Sequence, residues 1–512
     1  MVHPCSSIGN NVLMRQSSVI VPTRGTGSKL EVFWSQRHVD LAFLGGFWAF
    51  AGGSLDPGDE TLPLTSAPPR GCPGAAHYGC AARELFEEMG LLVTDRGVRH
   101  VSEDPGLRRL RELTAAPGEF AAALAARGER IDVERFLPLG AWVTPEWFEI
   151  GHDSEFFALH LTSDEDARFG DRLADDLLAA ELASGEWIDP EEALWSWRAG
   201  TKLITPPIRY LLEAFAGEES VDDVELDADG VALTYDAWLA TSGIYLVPLR
   251  SLTLPPATHT NCLIVGEDRF VVIDPGSPFE REQELLQLLL DQMVADGRHF
   301  EAVVLTHHHP DHIAGVEALQ ARYGAPLWAH GETASRVDFA TARCLEQGDT
   351  IDLGPDSLEC HHTPGHAPGH LCFFHPRTGG LIAGDLVASS GTILVNPPDG
   401  HMGAYLDSLQ RMRDLAARTL YPAHGWVVTN PADRLDFYIR HRLQREDKVH
   451  AALVRFAKPA TPADLVPDAY DDAPAAVWPL ATRSAEAHLI HLVEIGRARR
   501  LPDERYFEAF SF

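Results

Sequence analysis

The sequence predicts a mixed α/β protein built in more than one part, and three observations carry that expectation. At 512 residues the chain exceeds what one hydrophobic core can organise, so two or three domains are expected. Apolar runs of strand length, such as Val19-Ile20-Val21, Cys262-Leu263-Ile264-Val265 and Phe270-Val271-Val272-Ile273, alternate with amphipathic stretches such as Arg281 to Met293. One strand-like run, Val303-Val304-Leu305, opens directly into Thr306-His307-His308-His309-Pro310-Asp311-His312, a dense set of metal-ligand residues.

Composition narrows the function classes. The 42 basic and 75 acidic residues give a net charge of -33, a surface that repels nucleic acid at long range. The longest apolar stretch, Leu41 to Gly53, is glycine-interrupted and too short to span a bilayer, and the first residues lack signal-peptide order. Seven cysteines without C-x-x-C spacing predict reduced thiols and a cytoplasmic location.

Residues 12–50 alternate apolar and polar runs and predict a sheet. After Gly52-Gly53 and a Pro- and Gly-rich interval comes Arg83-Glu84-Leu85-Phe86-Glu87-Glu88-Met89-Gly90-Leu91. A helix there places Glu84, Glu87 and Glu88 on one face, an arrangement that favours a cation held by oxygen ligands, magnesium or manganese. The segment resembles a Nudix box, G-x5-E-x7-R-E-U-x-E-E-x-G-U with U aliphatic. Its second half matches fully; in the first half Asp59 stands where the family has Glu, and 23 rather than 7 residues separate it from Arg83, an insertion of 16. The resemblance implies a Nudix α/β/α fold over 1–218, with Glu84, Glu87 and Glu88 as metal ligands and Glu84 and Glu88 as catalytic groups. It implies cleavage of a nucleoside diphosphate derivative such as a coenzyme-A-type pyrophosphate. Downstream runs including Ala141-Trp142-Val143-Thr144-Pro145 and Gly185-Glu186-Trp187-Ile188 look like the larger, coenzyme-A-diphosphatase-like members. The altered first half leaves a non-catalytic binding module as the alternative. Residues 216–236 are acidic and turn-rich and read as a linker.

From about 240 the strand pattern restarts. Alternate residues at a strand end project the same way, so His307 and His309 can converge on one cation. Imidazole and carboxylate suit zinc, manganese or iron rather than calcium. Further candidates are Asp274 after a strand, His366 and His370 in a Gly/Pro-rich loop, Asp385 at a strand end and His424 in a turn. These blocks resemble the metallo-β-lactamase superfamily, in particular its glyoxalase-II-like members. The offsets fit: 54 residues from His312 to His366, 19 to Asp385 and 39 to His424. The resemblance implies an αββα sandwich over 237–432. One metal would take His307, His309 and His366; the other would take Asp311, His312 and His424, with Asp385 bridging. Asp274 would orient the histidine loop, and His308 and His370 would stay outside the ligand set. Two such cations can hold a hydroxide between them that attacks a thioester, with Asp311 and Asp385 as the catalytic carboxylates.

Residues 433–512 predict two helices and a basic segment resembling the winged-helix tail of β-lactamase-like hydrolases. The first helix would carry an apolar side of Leu435, Phe437, Ile439, Leu443, Leu453 and Val454. Its polar side would carry Arg440, His441, Arg442, Arg445 and Lys448. The second would begin at a Thr482 or Ser484 cap. This tail makes an endoribonuclease or phosphodiesterase the alternative activity; the net charge argues for a small-molecule substrate instead.

Overall fold

A computed structural model describes residues 13–41, 44–116, 118–143, 150–175, 177, 181–218, 220–224, 239–456 and 458–509. The chain forms two compact units, Met1–Ala237 and Trp238–Phe512. Most of the expected linker, and Thr144-Pro145, lie outside the described residues.

In the first unit a seven-stranded mixed sheet is organised by Leu13–Arg24. This strand runs parallel to Ile150–His160 and antiparallel to Glu31–Arg37 and Ala51–Ser54. Leu182–Ile188 adds to the far side of Glu31–Arg37. Helix Ala75–Met89 packs on the sheet through Ala81, Leu85, Phe86 and Met89, apolar positions at helical spacing that are fully buried. It ends at Gly90, whose φ of 73° lets the backbone N–H close on Phe86 O.

The second unit is a sandwich of two sheets. The seven-stranded sheet runs Leu239–Thr241, Ile244–Arg250, His259–Val265, Arg269–Ile273, His299–Val304, Leu327–Ala329, Thr341–Cys344. The five-stranded sheet runs Thr350–Asp352, Ser357–His362, Leu371–His375, Gly380–Gly384, Thr419–Pro422. Alternation along the strands sends Val271, Ile273, Ala302 and Val304 of one sheet against Leu358, Leu371, Phe373 and Ile382 of the other, a shared apolar core. The opposite faces are covered by helices. Glu280–Ala295 and Val316–Tyr323 pack against His299–Val304, and Met402–Asp414 covers Cys372, Leu381 and Ala383. The layers are therefore αββα.

A small tail completes this unit: helices Pro431–Phe456, Pro462–Ala469 and Trp478–Glu494, then a hairpin of Ala498–Arg500 with Tyr506–Glu508. Two expectations for it need correction. The last helix starts at Trp478-Pro479 rather than at Thr482 or Ser484; proline suits a first turn, whose N–H groups lack helical partners anyway. Thr482 lies inside, its hydroxyl donating to Trp478 O (2.9 Å). The faces of Pro431–Phe456 also differ. Leu435 and Leu453 are buried, but Phe437, Leu443 and Val454 are exposed, and Arg442 is only 3% exposed.

Among the described residues, no helix is long and apolar enough to cross a membrane.

Candidate functional site

The sandwich gathers its chemistry at strand ends. Asp274 follows Arg269–Ile273, the histidine cluster follows the parallel neighbour His299–Val304, Asp385 follows Gly380–Gly384, and His424 lies just beyond Thr419–Pro422. His366 sits in the loop between Ser357–His362 and Leu371–His375. The short helix Pro310–Ile313 turns Asp311 and His312 inward. Gly276 is required beneath it, because a Cβ there would meet Asp311 O at 1.7 Å.

Three imidazole nitrogens meet at one point. His307 Nε2 lies 2.9 Å from His309 Nδ1 and 3.2 Å from His366 Nε2, and the latter two are 2.9 Å apart. The protons of two rings are committed elsewhere: His307 Nδ1 donates to Thr306 Oγ1 (3.0 Å) and His366 Nδ1 to Leu394 O (2.8 Å). The facing atoms therefore present lone pairs. Burial and the neighbouring imidazoles push His307 far down and His309 down to about 2, so protonation does not relieve the crowding. Such spacing fits one cation: nitrogens ~2.0–2.1 Å from a tetrahedral zinc are separated by ~3.3 Å.

A second set lies beside the first. Asp311, His312 and His424 bring one donor atom each to within 4.8 Å of one another. His312 Nε2 is buried with no hydrogen-bond partner among the described residues, 4.0 Å from Asp311 Oδ1 and 3.7 Å from Asp385 Oδ1. Asp385 stands between the sets, its Oδ2 3.3 Å from His366 Nε2 and its Oδ1 3.2 Å from His424 Nε2. The donors and their spacing fit two divalent cations.

The electrostatics of the two sets differ. Burial opposes the charge on His312, but Asp274 and Asp385 outweigh it and raise the imidazole to about 10. His424 is raised against burial by Asp385. Burial likewise works against ionisation of Asp385, yet His424 and His312 hold it well below the usual carboxylate range.

Asp274 lies behind the cluster, against Thr306 and His312. Its Oδ1 accepts from Thr306 N (2.8 Å) and its Oδ2 from Thr306 Oγ1 (2.6 Å) and His312 Nδ1 (2.8 Å). It holds φ 54°, a left-handed conformation uncommon outside glycine. His370 stays out of the cluster: its Nδ1 donates to Thr363 Oγ1 (2.7 Å) and its Nε2 accepts from Asp385 N (3.0 Å). His308 Nε2 faces Asp399 Oδ2 at 3.2 Å.

Several partners carry no sequence signal. His424 Nδ1 donates to the carbonyl of His259 (2.9 Å), and Thr253 Oγ1 lies 3.4 Å from His424 Nε2. A backbone carbonyl has no residue identity, so the roles of Leu394 and His259 could not be read from side chains.

Residues 255–424 match the family described as the Metallo-beta-lactamase superfamily, and residues 461–505 the Beta-lactamase associated winged helix domain. The second unit carries a metallo-β-lactamase domain followed by its winged helix. Similar proteins include a Beta-lactamase-like protein 2 homolog of Drosophila melanogaster, 27% identical over 48% of this chain and 87% of that protein. An Atrochrysone carboxyl ACP thioesterase of Passalora fulva is 29% identical over 41% of this chain and 63% of that protein. Among solved structures, a metallo-beta-lactamase family protein from Thermus thermophilus is 24% identical. It covers 53% of this chain and 100% of its own length, with a TM-score of 0.44.

Three of the basic residues expected on the polar side of helix Pro431–Phe456 are committed within the unit, while Arg440 is exposed. Arg442 donates to Ile393 O, Arg445 to Ala469 O and Asp472, and Lys448 to Asp471 and Asp472.

In the first unit, Glu84 and Glu88 are buried at the foot of Gly52-Gly53. Glu88 Oε2 accepts from Gly52 N (3.3 Å), and a Cβ on Gly53 would meet Glu84 Oε1 at 2.2 Å. Burial raises Glu84 to about 7 and Glu88 well above the usual range. Arg83 threads the cluster, donating to Asp59 Oδ1 (2.7 Å), Glu84 Oε1 (2.7 Å) and Glu87 Oε2 (3.4 Å). Asp59 is therefore buried as the partner of Arg83, and the segment between them packs back on the unit, with Leu62 buried and Thr65 N donating to Ile131 O (2.9 Å).

Proposed function

We propose that the metallo-β-lactamase domain is a binuclear thioester hydrolase of the glyoxalase-II-like kind. The ligand sets are His307–His309–His366 and Asp311–His312–His424, shared through Asp385. The observation that carries this reading is the meeting of two donor sets around one carboxylate. Two bound divalent cations, zinc, manganese or iron, would lower the pKa of a water molecule and polarise the acyl carbonyl. The chain supplies the rest. Asp385 balances charge between the two sets. Asp311, the more exposed of the two carboxylates at 16% against 9% for Asp385, would orient the attacking water through its Oδ atoms. His366 and His424 are locked by their Nδ1 donations, so their Nε2 atoms stay directed inward. The thioesterase name of the Passalora fulva relative supports an acyl substrate. The test is to assay purified protein on coenzyme A, glutathione and carrier-protein thioesters, with RNA as the competing substrate. Loss of thioester hydrolysis on chelation and its return with zinc support the reading; RNA cleavage with inert thioesters overturns it.

For the first unit we propose a Nudix-like cation site for a nucleoside diphosphate derivative, formed by Glu84, Glu87 and Glu88 with magnesium or manganese. The raised Glu84 and Glu88 favour it, because crowded buried carboxylates ionise readily only beside a cation. Arg83 already neutralises part of this charge, the feature that favours a binding module instead. Magnesium-dependent cleavage of a coenzyme-A-type pyrophosphate separates the two.

A further inference from the structure

Residues 386–399 join strand Gly380–Gly384 to helix Met402–Asp414 without helix or strand of their own. Two candidate metal ligands and a neighbouring histidine depend on this loop. Asp385 lies at its head. The Leu394 carbonyl receives His366 Nδ1 (2.8 Å) and thereby fixes which nitrogen His366 turns inward. Asp399 closes the far end on His308 Nε2 (3.2 Å). An irregular segment with such duties needs an external support.

One stripe of helix Pro431–Phe456 provides it. Arg434, Tyr438 and Arg442 are spaced i, i+4, i+8, so they share a face. Arg434 Nε donates to Ala388 O (2.7 Å) and its Nη2 to Gly391 O (2.8 Å). The Tyr438 hydroxyl accepts from Ala388 N (2.8 Å). Arg442 Nη2 donates to Ile393 O, the carbonyl next to the one that holds His366. The same guanidinium lies 5.5 Å from the ring of Tyr405, whose hydroxyl donates to Leu386 O (2.6 Å) beside Asp385. Arg442 is a costly residue to bury for stability alone: its Nε has no hydrogen-bond partner among the described residues, and an apolar side chain would fill the space without stranding a donor.

We infer that Arg434, Tyr438 and Arg442 are positioning residues of the metal centre: the helix after His424 serves the site by holding the loop that aims Asp385 and His366. This rests on the binuclear reading above. The experiment uses full-length Arg442→Met, Arg442→Lys, Arg434→Met and Tyr438→Phe, with exposed Arg440→Met as the control. Zinc affinity is measured by competition with a chromophoric chelator, and ligand geometry by the d–d absorption of the cobalt-substituted protein.

Loss of a group hydrogen-bonded directly to a metal ligand typically costs 10–100-fold in metal affinity; Arg442 acts one residue removed, through Ile393 O, so the lower end, about 10-fold, sets the scale. A drop of that order is expected for Arg442→Met, with an altered cobalt spectrum, while Arg442→Lys recovers part of the loss by keeping a donor for Ile393 O. Arg440→Met should match the wild type. If Arg442→Met fails to fold, Arg434→Met and Tyr438→Phe decide, since each removes one support from the loop. Wild-type protein that binds no transition metal would overturn the binuclear reading itself. Wild-type protein with two metals, alongside folded variants of unchanged affinity and cobalt spectrum, would overturn this inference alone.

Discussion

Replacing Asp274 by asparagine isolates the orientation of His312 from the packing around it. Asparagine tolerates the left-handed backbone at φ 54° and keeps an oxygen for Thr306 N. Its amide NH2 then faces Thr306 Oγ1 and His312 Nδ1, where the carboxylate accepted both. The threonine hydroxyl can turn, but His312 must switch tautomer, presenting a lone pair at Nδ1 and a proton at Nε2. Nε2 is the atom that faces Asp311 and Asp385, so the ligand lone pair is lost. On the scale of such supporting contacts the cost is 10–100-fold in affinity for one cation, ~1.4–2.7 kcal/mol. Alanine is the blunter change, stranding the three buried donors at ~1–3 kcal/mol each. The assay is metal content by elemental analysis after dialysis against a weak chelator, with a thermal melt to confirm folding. Folded Asp274→Asn protein with two tightly held metals and wild-type turnover would refute the tautomer argument.

The remaining expectations concern pH, charge and the first unit. Because His312 titrates near 10 without a cation, metal binding must displace its proton; apparent affinity should therefore rise between pH 6 and 8 by ~1 log unit per pH unit, and a flat profile by chelator competition would contradict this. Asp356 is buried, which opposes its charge, but hydrogen bonds from His375 and Arg377 hold its pKa below the ordinary value. Its stabilisation is present above pH ~4 and disappears as pH falls through the folded value, so Asp356→Asn should flatten the acid limb of the melting curve. Glu88→Gln mimics the neutral carboxyl that burial favours. It should leave stability without magnesium unchanged or higher, yet abolish any magnesium-induced rise in Tm and any pyrophosphate cleavage. Hydrolysis of small thioesters should persist at moderate salt, whereas RNA affinity would fall ~0.7 log units per log salt for each phosphate contacted.

The candidate metal-binding residues were legible because their chemistry resides in residue identity and their placement follows from strand ends. His307, His309, Asp311, His312, His366, Asp385 and His424 lie together in the structure, in groups that could hold a metal ion. Asp274 was legible for the same reason. The supports were not. Leu394 and His259 act through carbonyls, which no side chain announces. Arg442 misled in the opposite direction: an arginine at an amphipathic helix position reads as solvated, and only tertiary packing buries it against Ile393 O. Phe437 and Leu443 erred conversely, since helical periodicity marks a face without saying whether anything covers it. In the first unit the pairing of Asp59 with Arg83 spans 23 intervening residues, a separation that sequence spacing alone could not bridge.

The most direct test of the central claim is the metal content of the purified full-length chain, set beside thioester hydrolysis in the same preparation and in His309→Ala. Close to two transition-metal ions per chain are predicted. Activity should be lost on chelation and restored by zinc, and His309→Ala should be folded, metal-deficient and inactive. Metal-free protein that hydrolyses thioesters at the full rate would contradict the account.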